Sequence, residues 1–428
     1  MKKFFGTMSL LLILVSALFL VGCGGSGSGA SDVTLTFGTH QSGLPASGII
    51  QDLALEFEEE TGIHIDFQIV PDAQWRDLLR VRLNSGEAYD IMNVDADPLS
   101  IVSRIDPEEN AVPLTNEEWV SRITPIALEG VTVNGEIYGM QFRGPRRLVM
   151  HYNREIFDEL GLEIPTTFEE FRAISQTILD ADIIPVYVAA QSGWQQVVPM
   201  TALGSFYQTQ HEDLYQRLNT NEMSITEVPE ILTVLTQMKE FATLGFYGEH
   251  FTSQSAEGAQ DAFANREVAM YFADMGWADG LASNFPEMEG QTGIFLAPWA
   301  DNQTVSVNPT GSALFIGSDS PHIDEAKLFF EFMARPENLE AILENSDMTS
   351  LCWIDVPTKE NPEFMEYLSA FEEGLMLQIG VSYIDPQFME IGRDIEAMFL
   401  GTMTPEEVVN SIAQRRDELA ELAQDPHW

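Results

Sequence analysis

Segments with strand character alternate with segments of helical character near the beginning of this chain. Val33–Phe37 and Ile63–Val70 alternate apolar and polar residues, which predicts strands, and Tyr89–Val94 predicts a third. Between them, Ile49–Glu60 and Ala73–Leu83 carry apolar residues at helical spacing. Strands that alternate with helices predict a largely parallel sheet, because parallel neighbours need a crossover connection. This pattern places the chain in the α/β class.

The alternation continues along the chain. Strands are predicted at Ile184–Ala189, Val268–Phe272 and Ala313–Ile316, and the spacing beyond Glu363 is mostly helical. The full length of 428 residues is more than one hydrophobic core usually supports. We therefore expect two lobes.

Polar and aromatic residues follow several of these strands. In open α/β sheets, ligands bind beyond the carboxyl ends of the strands. Side chains in these positions are therefore the first candidates for a binding site. They are His40, Gln41, Asp95, Trp194, Asp274 and Trp277.

The N-terminal segment predicts export. A basic start precedes the apolar, uncharged stretch Phe4–Val21, as in a signal peptide. Leu20–Cys23 resembles the bacterial lipobox, in which the cysteine takes a diacylglycerol and becomes the mature N-terminus. Gly24–Gly29 contains only glycine and serine, which is typical of a flexible tether. We expect a signal peptide over residues 1–22 and a tether over 23–31, with the body at the outer face of the cytoplasmic membrane.

The charge of the chain narrows the partners it can have. With 67 acidic and 21 basic residues, the net charge is −46 at pH 7, which argues against nucleic acid as a partner. The chain has two cysteines. If Cys23 carries lipid, Cys352 has no partner for a disulfide bond. The apolar neighbours of Cys352 predict a buried residue rather than a nucleophile.

Four stretches carry motifs in a fixed order and spacing. The first holds a Thr-Gly-Ile turn and a Ser-Gly-x-x-x-Asp strand entry, and the second opens with Asn-Gly-Glu-Ile-Tyr-Gly-Met. With the lipobox, they resemble the extracellular solute-binding proteins of sugar ABC importers, whose best-known relative in fold is the maltose-binding protein. The stretches are Phe57–Ile91, Asn134–Phe171, Phe263–Trp277 and Ala326–Asn338.

The resemblance implies a two-lobed periplasmic-binding-protein-like fold, each lobe a sheet flanked by helices. The N-terminal lobe would comprise residues 32–143 plus about 306–347, and the C-terminal lobe 144–305 plus about 348–428. Crossings between the lobes are expected near Phe142–Pro145, Gln303–Val307 and Asn345–Ser350. The ligand would lie in the cleft between the lobes and pass to the permease subunits of an ABC importer. We expect a monomer without a cofactor or a metal ion.

A sugar in such a cleft needs polar partners for its hydroxyls and aromatic rings for its flat faces. An unpaired buried polar group costs about 1–3 kcal/mol, so carboxylates, amides and rings are the expected ligand-binding groups. Tyr383 joins the candidates on this ground. The resemblance supports Trp277 best, because an aromatic residue after the Ala-Met strand typically reaches the ligand in this family.

Three arginines, Arg143, Arg146 and Arg147, stand together where the first crossing is expected, although arginine is rare in this chain. One interpretation is that they pair with some of the many acidic residues. The other is that one of them, Arg143, faces the cleft and binds a carboxylate through two hydrogen bonds. The ligand would then be a uronate-containing saccharide.

Two other functions stay open at this point. A glycoside hydrolase needs two carboxylates about 5–9 Å apart, and a chain this acidic could supply them. A ligand-sensing receptor module would use the same binding chemistry. The motifs of serine hydrolases, phosphate loops, zinc peptidases and CxxC redox sites do not occur, and the histidines lack metal-ligand spacing. We therefore favour a binding protein over an enzyme.

Overall fold

A computed structural model describes residues 33–97, 99, 101–309 and 311–428. The predicted signal peptide, the tether and Cys23 lie outside the described residues. Within the described residues, no helix combines the length and the apolar character that crossing a membrane requires.

The described chain contains both strands and helices along most of its length. The strands are β1 (Thr34–His40), β2 (His64–Val70), β3 (Ile91–Asp95), β4 (Thr132–Val133), β5 (Glu136–Ile137), β6 (Gly139–Gln141), β7 (Arg146–Asn153), β8 (Ile184–Tyr187), β9 (Val268–Asp274), β10 (Thr292–Phe295), β11 (Thr304–Asn308), β12 (Ser312–Ile316) and β13 (Glu372–Leu375). The helices are α1 (Ile49–Thr61), α2 (Asp72–Ser85), α3 (Ile101–Ile105), α4 (Pro107–Asn110), α5 (Pro125–Glu129), α6 (Arg154–Leu160), α7 (Phe168–Asp180), α8 (Val198–Thr201), α9 (Gly204–Gln210), α10 (Leu214–Asn219), α11 (Pro229–Thr243), α12 (Gly258–Ala264), α13 (Trp277–Asn284), α14 (Ile323–Met333), α15 (Pro336–Glu344), α16 (Pro362–Leu368), α17 (Leu377–Gly380), α18 (Phe388–Phe399) and α19 (Pro405–Ala423).

The first lobe is built on a five-stranded sheet in the order β2-β1-β3-β12-β6. Strand β1 pairs in parallel with β2 and β3, as the alternating pattern predicted, whereas β12 runs antiparallel to β3 and β6. Helices α1, α14 and α15 contribute apolar side chains to one core of this lobe. Helix α2 packs on a second core through Trp75, which is 4% exposed, so its predicted place in the core is confirmed.

The second lobe is built on a sheet in the order β13-β11-β7-β9-β8, with β10 also pairing with β7. A large core of helical side chains, from α6 to α19, covers this sheet. The architecture agrees with the two-lobed α/β fold expected from the sequence. The expectation of a helix at Glu372–Leu375 is wrong, because these residues form β13, which pairs in parallel with β11.

Glycines end the first two helices. Gly62 and Gly86 have φ values of 76° and 68°, in the left-handed region that closes a helix at low cost only for glycine. The predicted end of α1 at Thr61-Gly62 is confirmed.

The chain crosses between the sheets where β6 leads into β7, at residues 142–145. The crossing expected near Gln303–Val307 lies slightly later in the chain: Thr304–Asn308 form β11 in the second sheet, and the chain has reached the first sheet at Ser312, where β12 begins. The segment near Asn345–Ser350, where the chain was expected to cross again, lies beside the first crossing, since the Gly144 N–H donates to Ser350 O at 2.9 Å. We call it the returning segment.

The exact lobe limits stay a prediction. Leu351, Cys352 and Trp353 pack in the core of the first lobe, as does Val356 at its edge, which favours a limit after residue 356 rather than near 347. Cys352 is fully buried, as its apolar neighbours predicted, and this burial raises the pKa of its thiol.

The two lobes touch closely at Gly276. A Cβ atom added to Gly276 would lie 2.4 Å from Asp347 O, on the segment that returns to the first crossing. Only glycine allows this approach, because a main-chain oxygen cannot move aside as a flexible side chain can.

We therefore expect Gly276→Ala to destabilise the protein by about 1–3 kcal/mol, the usual cost of overpacking. The free energy of unfolding in urea measures it. Gly280→Ala is the matched control, because the nearest atom to its added Cβ is the flexible Gln260 amide at 3.2 Å. Equal stability of the two variants would contradict the prediction.

Candidate functional site

His40 and Asp95 meet at the carboxyl edge of the first sheet. His40 is the last residue of β1 rather than a loop residue, and it is 7% exposed. Its Nδ1 lies 3.1 Å from Ser42 Oγ and 3.3 Å from Asp72 Oδ1, and its Nε2 lies 3.8 Å from Asp95 Oδ1. Buried Nε2 has no hydrogen bond, so one polar atom of His40 stays available to a ligand.

Asp95 ends β3, and its side chain is half-exposed. Its Oδ1 accepts a hydrogen bond from Ser312 Oγ at 2.9 Å. Burial opposes its ionisation, but His40, Arg104 and other nearby cations outweigh that effect and lower the pKa of Asp95. Asp95 therefore offers an ionised carboxylate to the space between the lobes at neutral pH.

Asp274 and Trp277 lie at the corresponding edge of the second sheet. Asp274 ends β9, where its Oδ1 accepts the Gly276 N–H at 3.0 Å and its buried Oδ2 has no hydrogen bond. Burial raises the pKa of Asp274, although Arg143 and Arg146 oppose the shift. The unbonded Oδ2 can accept a hydrogen bond from a ligand hydroxyl.

Trp277 begins α13 and is partly buried. Its ring centroid is 5.1 Å from that of His151 and 5.0 Å from those of Phe263 and Tyr271, so this aromatic group holds the indole in place. His151 Nε2 lies 2.9 Å from Asp274 O, and burial lowers the pKa of His151 to about 4. The imidazole is therefore neutral at pH 7 and donates from Nε2 to that carbonyl.

Arg143 and Arg147 both pair with carboxylates. Arg143 NH2 donates to Asp347 Oδ1 at 2.8 Å, and Arg147 Nε donates to Glu373 Oε1 at 2.6 Å. Arg146 differs from both: its Nε is buried without a hydrogen bond. Asp95 of the first lobe and Asp274 of the second both act on the charge of the Arg146 guanidinium, as does the adjacent Arg143.

The other predicted residues lie apart from this group. Gln41 is exposed in the turn after β1, and Trp194 is partly buried against the core of the second lobe. The Tyr383 hydroxyl donates to Asp425 at 2.8 Å, and its ring packs on Trp428. The structure therefore places His40 beside Asp95 in the first lobe and Asp274 close to Trp277 in the second, with Arg143 acting on the charge of Asp274. Gln41 directly follows His40, but in the described part of the chain the side chains of Gln41, Trp194 and Tyr383 form no hydrogen bond or ring contact with these residues.

Three residues that the sequence analysis did not select form an ion cluster across the lobes. Arg76 of α2 donates to Asp385 O at 3.0 Å and to Asp385 Oδ2 at 3.2 Å, and Arg104 of α3 also pairs with Oδ2. Gln378 donates to the other carboxylate oxygen at 2.7 Å. The side chains of Asp385 and Arg104 are 3% and 9% exposed. We call Arg76, Arg104 and Asp385 the inter-lobe cluster.

The charge of the inter-lobe cluster is stable at neutral pH. Burial raises the pKa of Asp385, but Arg104 and Arg76 outweigh burial and hold that pKa far below its ordinary value. Its stabilising effect is therefore present at neutral pH and is lost only as the pH falls through that lowered pKa. The sequence signals for this cluster were the rarity of arginine and the position of Arg76 on a predicted helix.

The described residues hold no group of three or more His, Cys, Asp or Glu side chains that could bind a metal ion. The side chains of the site offer hydrogen bonding, charge and aromatic contact.

We expect Asp385→Asn to weaken contact between the lobes, because it leaves Arg104 without its carboxylate, and a broken buried pair costs about 3–5 kcal/mol. Small-angle X-ray scattering should give a larger radius of gyration for this variant. Asp394→Asn is the control, since Asp394 pairs with Arg415 at 2.7 Å between α18 and α19 of the second lobe. An unchanged radius, or the same change in both variants, would contradict a role in closure.

Comparison with known proteins finds relatives that are named for binding sugars. The chain is 23% identical over 342 residues to the multiple sugar-binding protein of Streptococcus mutans, covering 77% of this chain and 79% of the relative. It is 23% identical over 365 residues to the melibiose/raffinose/stachyose-binding protein MelE of Bacillus subtilis, covering 80% of each.

Solved structures share the fold. A chitin oligosaccharide binding protein superposes with a TM-score of 0.76 at 15% identity, over 90% of this chain and 99% of that one. A Bacillus licheniformis sugar transporter in complex with stachyose gives 0.74 at 18% identity, over 90% of this chain and all of that one. Residues 42–340 match the bacterial extracellular solute-binding proteins, and the chain belongs to that family.

Proposed function

We propose that this protein captures an oligosaccharide in the cleft between its lobes and delivers it to the permease subunits of an ABC importer. The observation that carries the proposal is that both lobes place polar or aromatic groups at or just after the ends of their strands, and that carboxylates of both lobes act on the charge of Arg146. His40 and Asp95 come from the first lobe, and Asp274 and Trp277 come from the second. Relatives named for binding sugars, including stachyose, support the same ligand class.

The chemistry of these groups suits a sugar. Two carboxylates at the facing sheet edges accept hydrogen bonds from hydroxyls, and Asp274 Oδ2 has no other hydrogen bond. The Trp277 ring offers a face for the C–H side of a pyranose. A cleft with both kinds of group can orient a sugar ring and satisfy its hydroxyls together.

Closure of the lobes would couple binding to delivery. A ligand that binds the closed form better shifts the population towards it, and the permease would recognise that form. The inter-lobe cluster stabilises the closed form before ligand adds its own contacts, since Asp385 and the two arginines come from opposite lobes.

We further propose that the protein is a monomeric lipoprotein, held at the outer face of the cytoplasmic membrane through Cys23. The Leu-Val-Gly-Cys sequence and the glycine-serine segment after it support this anchor. The lobes would comprise residues 32–143 plus about 306–347 and residues 144–305 plus about 348–428. The packing of Leu351–Trp353 in the first core supports a later limit, after residue 356. Capture rather than hydrolysis is favoured, because the relatives are named as binding proteins.

A thermal-shift and calorimetric screen of the exported protein tests the main proposal. We expect at least one neutral or acidic oligosaccharide to raise Tm and to be recovered unchanged, since a ligand that binds the native state stabilises it. Cleavage of the sugar would indicate a hydrolase, and no binding by any saccharide would contradict the proposal.

The same binding measurements test whether the Trp277 ring contributes to binding the sugar. Trp277→Ala should weaken binding of the identified sugar at least about tenfold, because it removes an aromatic face. Trp277→Phe should retain part of the affinity. Trp428→Ala is the control, because this tryptophan bonds Asp417 on α19, away from the cleft.

Cys23→Ser should abolish incorporation of labelled fatty acid and release the protein into the medium of a Gram-positive host or the periplasm of a Gram-negative one. Cys352→Ser should keep the label, because Cys352 is fully buried. Labelling that survives Cys23→Ser would contradict the anchor.

A further inference from the structure

Arg146 lies at the centre of the site and lacks the ion pair that its neighbours have. It is the first residue of β7, directly after the crossing between the lobes, and it pairs with Asn308 of β11 in the sheet register. Its side chain is partly buried, and its Nε is buried without a hydrogen bond. Arg143 and Arg147, by contrast, each donate to a carboxylate.

Each of the three carboxylates that act on Arg146 already has one oxygen bonded to another group. Asp95 bonds Ser312 Oγ, and Asp274 bonds the Gly276 N–H. Asp347 accepts from Arg143. These three act on Arg146 through space, yet none forms an ion pair with it in the described part of the chain.

In the described part of the chain, no anionic group accepts a hydrogen bond from the Arg146 guanidinium. Burial and the adjacent Arg143 both lower its pKa, so its charged form is less well stabilised than that of an ordinary arginine. A guanidinium is best satisfied by two parallel hydrogen bonds to one carboxylate. In a chain with 67 acidic and 21 basic residues, a carboxylate of its own would be the expected partner of a purely structural arginine.

We propose that Arg146 binds a carboxylate of the ligand, so that the captured saccharide carries a uronic acid. This inference rests on the proposed function, and it assigns to Arg146 the role that the sequence suggested for Arg143. Arg143 then acts as a positioning residue that holds Asp347 away from the Arg146 guanidinium.

The surrounding charges also limit the ligand to few carboxylates. Asp95 and Asp274 are close enough to act on the charge of Arg146, and a further carboxylate near either of them is repelled. A saccharide with one uronate placed at Arg146 avoids both, whereas a polyuronate brings further carboxylates close to them. We therefore expect a mixed neutral and acidic oligosaccharide rather than a polyuronate.

Matched sugar pairs test this inference. The probes are xylotetraose bearing a single glucuronate, cellobiouronate and trigalacturonate, each compared with its carboxyl-reduced form, which differs only by CH2OH in place of the carboxylate. Isothermal titration calorimetry of the full exported chain at pH 7 and fixed salt gives the ratio of the two Kd values. We expect a ratio of at least about tenfold in favour of a singly acidic sugar, as for a hydrogen bond between charged groups.

Substitutions of Arg146 then test whether this side chain causes the ratio of the two Kd values. Arg146→Gln should bring it close to one, and Arg146→Lys should keep part of it, because a lysine retains the charge but not the bidentate geometry. Arg147→Gln is the matched control: it removes an adjacent arginine that pairs with Glu373 and Glu360, and it should leave the ratio unchanged.

The outcomes separate the two proposals. Equal binding of acidic and reduced sugars by the parent protein overturns the role of Arg146 while sugar capture stands, even if Arg146→Gln does not fold. An equal loss of the ratio in Arg147→Gln also overturns it, because the preference would then reflect general positive charge. Failure of every probe, acidic or neutral, overturns sugar capture and the Arg146 proposal together.

Discussion

Main-chain hydrogen bonds tie the first crossing to the segment that returns beside it. The Cys352 N–H donates to Phe142 O at 2.8 Å, and the Gly144 N–H donates to Ser350 O at 2.9 Å. These bonds fix the strand that follows relative to the returning segment. They therefore set Arg143 beside Asp347, and they determine which side chains of the second lobe face the first.

Arginine side chains, which are few in this chain, form ion pairs where the two lobes meet. Its acidic excess would make two approaching lobes repel each other. Arg76 and Arg104 reach from the first lobe to Asp385 of the second, and Arg143 pairs with Asp347 at the crossing. Arginines at these contacts offset the repulsion locally, so closure depends on a small number of ion pairs rather than on the net charge.

The spacing of apolar residues along the chain predicted the first strands and helices well. The strand and helix spacing before residue 95 gave the βαβαβ unit, and glycine after Thr61 gave the end of α1. It missed the strand at Glu372–Leu375, and the family resemblance placed a crossing near Gln303–Val307, where the strand Thr304–Asn308 lies. Both are strands because they pair with each other and β11 also with β7, and pairing of distant segments leaves no signal in local spacing.

The sequence by itself determined the α/β class and, to within three residues, where β1, β3 and β9 end. It therefore also determined the candidates His40, Asp95, Asp274 and Trp277, since a strand can be located from its own residues. Tertiary structure alone decided which charges meet. Arg104 and Asp385 are 281 positions apart, so no local pattern links them. That Arg146, and not its neighbours, lacks an ion pair follows from where distant carboxylates find their partners, and this depends on the folded chain as a whole.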